Sequence, residues 1–189
     1  MVFAGASGEE ASALVGRYAG HERSAIMPLL YLAQSLDGMI STDALREIGE
    51  LLGITTAEVE AVATFYTMYR LGPTGEHVVA VCTNLACKLR GAEAVFDAAR
   101  DEAGIGHGAE TSADGLVTVH EEECLGVCDV APAVQINVSN HDRVTPERVR
   151  ELIGQLRAGE VPEPARGPAF ASWRAASRAL AGLEEVPVS

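Results

Sequence analysis

Positive charge is scarce in this 189-residue chain: Lys and Arg together number 14 against 27 Asp and Glu, a formal net charge of −13, and Lys88 is the only lysine. Neutralising a phosphate backbone needs a basic surface, so nucleic acid is excluded as a partner, and the acidic surface suits a protein partner presenting basic patches. Long apolar runs are also missing. No stretch approaches the roughly 18 apolar residues that a bilayer-spanning helix requires, so no direct membrane insertion is expected. The opening residues MVFAGASGEEAS have neither a basic region nor an apolar stretch of a secretory signal, which gives the expectation of a cytoplasmic protein. Gly-rich nucleotide signatures are absent too: there is no G-x-G-x-x-G after a strand and no G-x-x-x-x-G-K-[ST], so neither NADH nor flavin is expected to bind this chain alone. Only four cysteines occur. In a reducing compartment they are not structural disulfides, and an even count there points to metal or redox chemistry.

What is present is organised in three segments. Hydrophobic residues make up 48% and charged residues 22%, enough apolar material for a globular fold. Residues 1–75 read as a helical bundle. Ile26, Leu29, Leu30, Ala33 and Leu36 recur at helical spacing with Pro28 in the first turn and Gly38 as a stop. A second helix fits Ala44 to Leu52, and a third starts at the capping box Thr55 with Glu58 and runs through Val59, Val62, Phe65, Tyr66 and Tyr69 to Gly72-Pro73. The cluster Phe65, Tyr66 and Met68 is expected to fill the core of this bundle rather than line a cofactor pocket.

Residues 76–159 change period. Strands are expected at His77 to Cys82, at LVTVH after the turn Asp114-Gly115, at Ala133 to Asn137, and around Val144 after a turn at Asn140 to Asp142. Helices are expected at Ala92 to Ala103 and after Thr145-Pro146-Glu147, with Val149, Leu152, Ile153 and Leu156 on one face. The fold class is therefore α/β (α+β), with a small sheet carrying helices behind a helical bundle. Residues 160–189 begin with the Pro-rich VPEPARGP, read as an extended linker, and continue into an amphipathic helix with Phe170, Trp173, Ser177, Leu180 and Leu183. That helix is open to two uses, docking on another protein or folding back on its own chain.

All four cysteines lie in the middle segment, which is also the most acidic. Cys82 and Cys87 form a C-x4-C pair, and Cys124 and Cys128 a C-x3-C pair. Each pair follows a strand, so two neighbouring strands would bring four sulfurs to one edge. Structural zinc is usually held by tighter C-x2-C knuckles, whereas wider and unequal spacing suits an iron–sulfur cluster. Residue types alone favour the cluster and leave zinc and thiol redox chemistry open.

The runs FYTMY, VCTNLACKLRGAE and TSADGLVTVHEEECLGVCDVAPAVQIN resemble the thioredoxin-like 2Fe-2S ferredoxin family, over about residues 15–158. More narrowly they resemble its NuoE-type branch in the NADH dehydrogenase module of respiratory complex I. The one departure, Ser112-Ala113 before Asp114-Gly115, is not at a ligand position. The resemblance implies a thioredoxin-like domain after the helical bundle, one 2Fe-2S cluster ligated by Cys82, Cys87, Cys124 and Cys128, and an electron-transfer role with no catalytic side chain of its own. It further implies two partners: an NADH- and FMN-binding flavoprotein subunit and a neighbouring iron–sulfur subunit, in a complex on the cytoplasmic side of the membrane. The equivalent subunit of an NAD-linked hydrogenase or formate dehydrogenase, or a stand-alone ferredoxin, is the alternative. A 2Fe-2S group with four thiolates is a dianion when oxidised and a trianion when reduced, so its potential should be low unless amide N–H groups point at sulfur. Gly91 and Gly126 permit backbone turns that aim amides in this way. Lys88 and Glu121, Glu122 and Glu123 are expected to be solvated, the histidines His77, His107, His120 and His141 to be surface or packing residues, and Pro132 to follow a cis peptide.

Overall fold

The structure is a computed structural model that describes residues 1–183; the last part of the 160–189 segment, 184–189, lies outside the described residues. The described chain divides into a helical unit, residues 1–73 with 174–183, and a sheet unit, residues 74–173.

The helical unit opens with a helix the periodicity did not reveal, α1 (Ala6–Gly16), which buries Ala11 and Leu14. A single 3-10 turn, Glu22–Ala25, leads into α2 (Ile26–Asp37), and Gly38 ends α2 in the left-handed conformation. Pro28 sits where a first-turn N–H has no intrahelical partner. The third helix, α3 (Thr42–Leu52), is capped by the Ser41 hydroxyl accepting from the Ala44 amide. Both halves of the expected capping box are formed at α4 (Thr56–Phe65): the Glu58 amide donates to the Thr55 hydroxyl, and the Glu58 carboxylate accepts from the Thr55 amide.

The expectation that Phe65, Tyr66 and Met68 fill the core is met only at Met68, which packs against it. The helix stops at Phe65, Tyr66 turns to an extended conformation, and Phe65 stands 76% exposed with Tyr66 edge-on beside it. The apolar spacing continues past the point where the backbone is helical. Met68 is half-buried, and Tyr69 reaches the core. The core itself is leucine-rich, with Leu14, Leu29, Leu30, Leu32 and Ile48 fully buried. One buried polar side chain ties it together: Gln34 Nε2 donates to Met68 O and to Ser177 Oγ, while its Oε1 accepts from the Arg70 amide.

The sheet unit is a four-stranded mixed sheet in the order β2-β1-β3-β4. Strand β1 (His77–Cys82) is followed by α5 (Leu85–Leu89) and α6 (Ala92–Ala103), the crossover that a parallel neighbour needs. That neighbour is β2 (Val117–Glu122), in register from His77↔Val117 to Cys82↔Glu122. On the other side of β1, β3 (Val134–Ile136) pairs antiparallel and forms a hairpin with β4 (Ser139–His141). The hairpin turn is at Asn137-Val138, both with positive φ, not at Asn140 to Asp142, and Val144 is a buried loop residue rather than a strand. A two-residue turn of this twist is usually marked by Asn-Gly, and Val in its place hid the signal. Asn137 is itself buried: its Oδ1 accepts from the Val78 amide, and its Nδ2 lies 3.0 Å from His77 Nδ1.

Alternate residues Val79, Val81, Val117, Val119, Val134 and Ile136 line one face of the sheet and pack with α6 and α7 (Pro146–Arg157). The N-terminus of α7 is as the sequence indicates, with the Thr145 hydroxyl accepting from Arg148 N and Pro146 in first position. The Pro-rich segment is tied along β4: the Ala165 amide donates to Asn140 O, the Asn140 amide donates to Arg166 O, and Arg166 pairs with Asp142 at 2.9 Å. The chain then enters α8 (Trp173–Leu180). From Arg174 onward it belongs to the helical unit, where Ser177 meets Gln34 and Arg178 pairs with Glu10. The buried face of α8 is thus used within the chain.

Candidate metal centre

Parallel pairing of β1 with β2 sends both strands out of the sheet at the same end. Cys82 is the last residue of β1 and is buried, its amide donating to Ala133 O. Asn84 caps α5 by accepting from Leu85 N at 2.6 Å, and that short helix turns Cys87 inward, also buried. Cys124 lies in the loop after β2, and Cys128 opens the 3-10 turn Cys128–Val130; both are exposed. Cys82 and Cys87 share a small apolar group with Ala92, Ala131 and Ala133, against which Leu125 and Val127 of the second cysteine loop pack. The Ala131–Pro132 peptide beside them is cis.

All four thiols are free and lie as two pairs. Burial, then the neighbouring Cys82, pushes the Cys87 thiol up to about 11, with the charge of Cys128 adding to it. Cys128 is raised by its hydrogen bond to Cys124 and by the charges of Cys124 and Cys82. Cys87 and Cys128 thus each feel the nearer cysteine and, after it, a cysteine of the other pair. Four gathered thiols, of which Cys87 and Cys128 resist ionisation, suit a strongly cationic core, whose charge favours thiolates. Among the described residues no three His, Cys, Asp or Glu side chains converge as a single-ion site. Two pairs of thiols on loops that follow neighbouring strands supply the two thiolates that each iron of a binuclear group takes.

Residues 11–157 match the family described as thioredoxin-like 2Fe-2S ferredoxin. The chain belongs to this family. Its cofactor is a 2Fe-2S cluster, and the donor set fits it. The chain is 46% identical over 176 residues to a Mycobacterium tuberculosis protein named as a subunit of NADH-quinone oxidoreductase, covering 93% of this chain and 69% of that one. It is 44% identical over 139 residues to NADH-quinone oxidoreductase subunit 2 of Thermus thermophilus, covering 73% of this chain and 76% of that one. Among solved structures, an NAD+-reducing NiFe hydrogenase in its H2-reduced state aligns with a TM-score of 0.61 at 25% identity. That alignment takes in 72% of this chain but only 22% of the hydrogenase chain.

The surroundings of the thiols divide between the two expectations for the glycines. Gly126, at φ 73°, donates its amide to Cys124 Sγ at 3.4 Å, whereas the Gly91 amide goes to Lys88 O. Lys88 is exposed and engaged 2.7 Å from Glu93, which raises its pKa. Glu121 and Glu123 are exposed as expected, but Glu122 is half-buried with Oε2 3.7 Å from His120 Nε2. His77 and His141 are buried packing residues held below the usual imidazole range by burial, His141 at about 4, and His107 is exposed. Sequence reasoning missed α5, the short helix that turns Cys87 inward. A polar Asn84 just before a cysteine-bearing apolar stretch was the available signal.

Proposed function

We propose that this chain is the electron-transfer subunit of the NADH dehydrogenase module of an NADH-quinone oxidoreductase. In this reading Cys82, Cys87, Cys124 and Cys128 hold one 2Fe-2S cluster. What supports it is the gathering of four free thiols in two pairs at the end of two parallel strands, in a chain that aligns over 93% of its length with a protein named for that oxidoreductase. When bound, the cluster supplies reversible one-electron transfer.

The chain's own residues supply the rest. Parallel β1 and β2 fix the spacing of the two cysteine loops, and the alanines beside Cys82 and Cys87 keep water from that pair. The Gly126 amide offsets charge on Cys124 sulfur. Exposed Glu121 and Glu123 add negative charge nearby and favour the oxidised form. Oxidation of NADH belongs to a flavin-bearing partner, with which single electrons are exchanged, and a second iron–sulfur protein adjoins the assembly. No helix among the described residues is long and apolar enough to cross a membrane. In this reading attachment at the cytoplasmic face runs through the complex.

The similarity to an NAD+-reducing hydrogenase favours a second reading, the equivalent component of such an enzyme. An affinity tag on this chain in its native host separates the two. Co-purified flavin with NADH–ferricyanide activity and no nickel supports the first reading; nickel with hydrogen-dependent NAD+ reduction supports the second. A tagged chain that brings down no flavoprotein contradicts both.

A further inference from the structure

The two cysteine pairs are alike in proximity and unlike in access. Within each pair one thiol is hydrogen-bonded to the other, Cys87 with Cys82 and Cys128 with Cys124. Cys82 and Cys87 are each 2% exposed, whereas Cys124 and Cys128 both reach solvent. A dissolved oxidant has to touch sulfur to react with it, so exposure selects the second pair.

Backbone freedom selects the same pair. A disulfide needs its two Cβ atoms about 3.8 Å apart and a dihedral of roughly 90°, so both cysteines must be able to turn. Cys82 is fixed in the β1 ladder with its amide on Ala133 O, and Cys87 lies within α5. Cys124 is in a loop outside any helix or strand, and Cys128 opens a single 3-10 turn. Between them Gly126 takes a left-handed φ of 73°, and nothing lies within 4 Å of where its Cβ would stand. The loop has room to shift. It is also anchored, because half-buried Leu125 and Val127 pack against the apolar group around Cys82 and Cys87 and keep the outer thiols side by side.

We propose that Cys124 and Cys128 form a reversible dithiol–disulfide site, closed by hydrogen peroxide in a chain that has lost its iron. One sulfur of the pair attacks a peroxide oxygen; the O–O bond breaks, the thiol proton leaves with the released hydroxide as water, and a sulfenic acid forms. The second sulfur displaces that hydroxyl, which departs as water with the second thiol proton, and the S–S bond closes. Two thiols lose two protons and two electrons, and one peroxide becomes two waters. The closed pair no longer ligates metal, so iron does not return until a dithiol reductant reopens it. That consequence rests on the ligand set of the functional reading, whereas the disulfide itself rests on exposure and backbone freedom.

The test strips iron and sulfide from the full chain with a chelator, adds hydrogen peroxide, and maps the thiols by alkylation and peptide mass. A Cys124–Cys128 bond should form within one chain, with alkylation lost at least tenfold faster there than at Cys82 and Cys87. Iron uptake from ferrous salt and sulfide should fall at least tenfold and return after dithiothreitol. Cys124→Ser should give no disulfide within the chain and leave Cys82 and Cys87 open to alkylation. A bond joining Cys82 to Cys87, a bond across the pairs, or equal rates at all four thiols overturns the proposal and leaves the functional reading in place. A chain purified anaerobically without iron contradicts the functional reading instead, and the thiol map still decides the disulfide. Should stripping lower the far-UV signal, the same map, taken on the iron-loaded chain as peroxide removes its iron, decides in its place.

Discussion

Gln34 in the helical unit and Asn137 in the sheet unit are both carboxamides with almost no exposed surface. Gln34 joins α2 to the Met68-Arg70 segment and to Ser177 of α8, and Asn137 joins a hairpin turn to β1. Each satisfies donors and acceptors that secondary structure leaves over. What surrounds them differs. The helical core is leucine and isoleucine, and its deepest titratable groups, Tyr31 and Tyr69, are moved by burial further from neutral pH. The sheet unit buries His77 and His141, which burial moves to lower pH, and also gathers four thiols. The difference separates a scaffold whose core is packing alone from a unit where packing is shared with chemistry.

The largest expected effect breaks that contrast at the thiols. Cys87→Ser should cost nearly all bound iron and labile sulfide, while the far-UV signal of the helical unit persists; a variant that keeps full iron would remove Cys87 from the ligand set. Next, Leu29→Ala in the helical core should lower stability by about 3 kcal/mol in urea unfolding without altering iron content. Equal iron loss in that variant would erase the division of labour.

Replacing either carboxamide strands buried partners. Gln34→Ala and Asn137→Ala should each cost roughly 1 to 3 kcal/mol, with only Asn137→Ala disturbing the sheet unit, where hydrogen exchange of the Val78 amide reports it.

The smallest effect is in pH. The folded pKa of His141, about 4, lies below its ordinary value of 6.5, so between these the unfolded chain binds the extra proton. Its contribution is fully present above pH 6.5 and is lost as pH falls towards 4, a dependence that should be absent in His141→Gln. His77 acts in the same direction.

The sequence made some of this plain. Thr55 with Glu58, Gly38, and Thr145-Pro146 are local signals, and each marks an element boundary because its chemistry acts within one turn. The C-x4-C and C-x3-C pairs were legible as a site because strand ends precede both. Besides α5, three features were not legible. Helix α1 bunches its apolar residues at Ala11, Ala13, Leu14 and Val15 and begins at Gly5 without a capping side chain, so neither periodicity nor a cap revealed it. Helical spacing through Phe65, Tyr66 and Tyr69 continued past the real end of α4, because which side chain reaches the core depends on tertiary context. The Asn137-Val138 turn places a β-branched residue at positive φ, which local preference disfavours and Asn137's buried hydrogen bonds hold.

The central claim is that the four thiols hold one binuclear iron–sulfur group. It is tested most directly by metal and sulfide analysis of the anaerobically purified full chain, with electron paramagnetic resonance after dithionite reduction. Iron and acid-labile sulfide are expected in equal amounts, close to two of each per chain, with an axial or rhombic signal that appears on reduction. A colourless protein carrying one tightly bound zinc, silent on reduction, would contradict it.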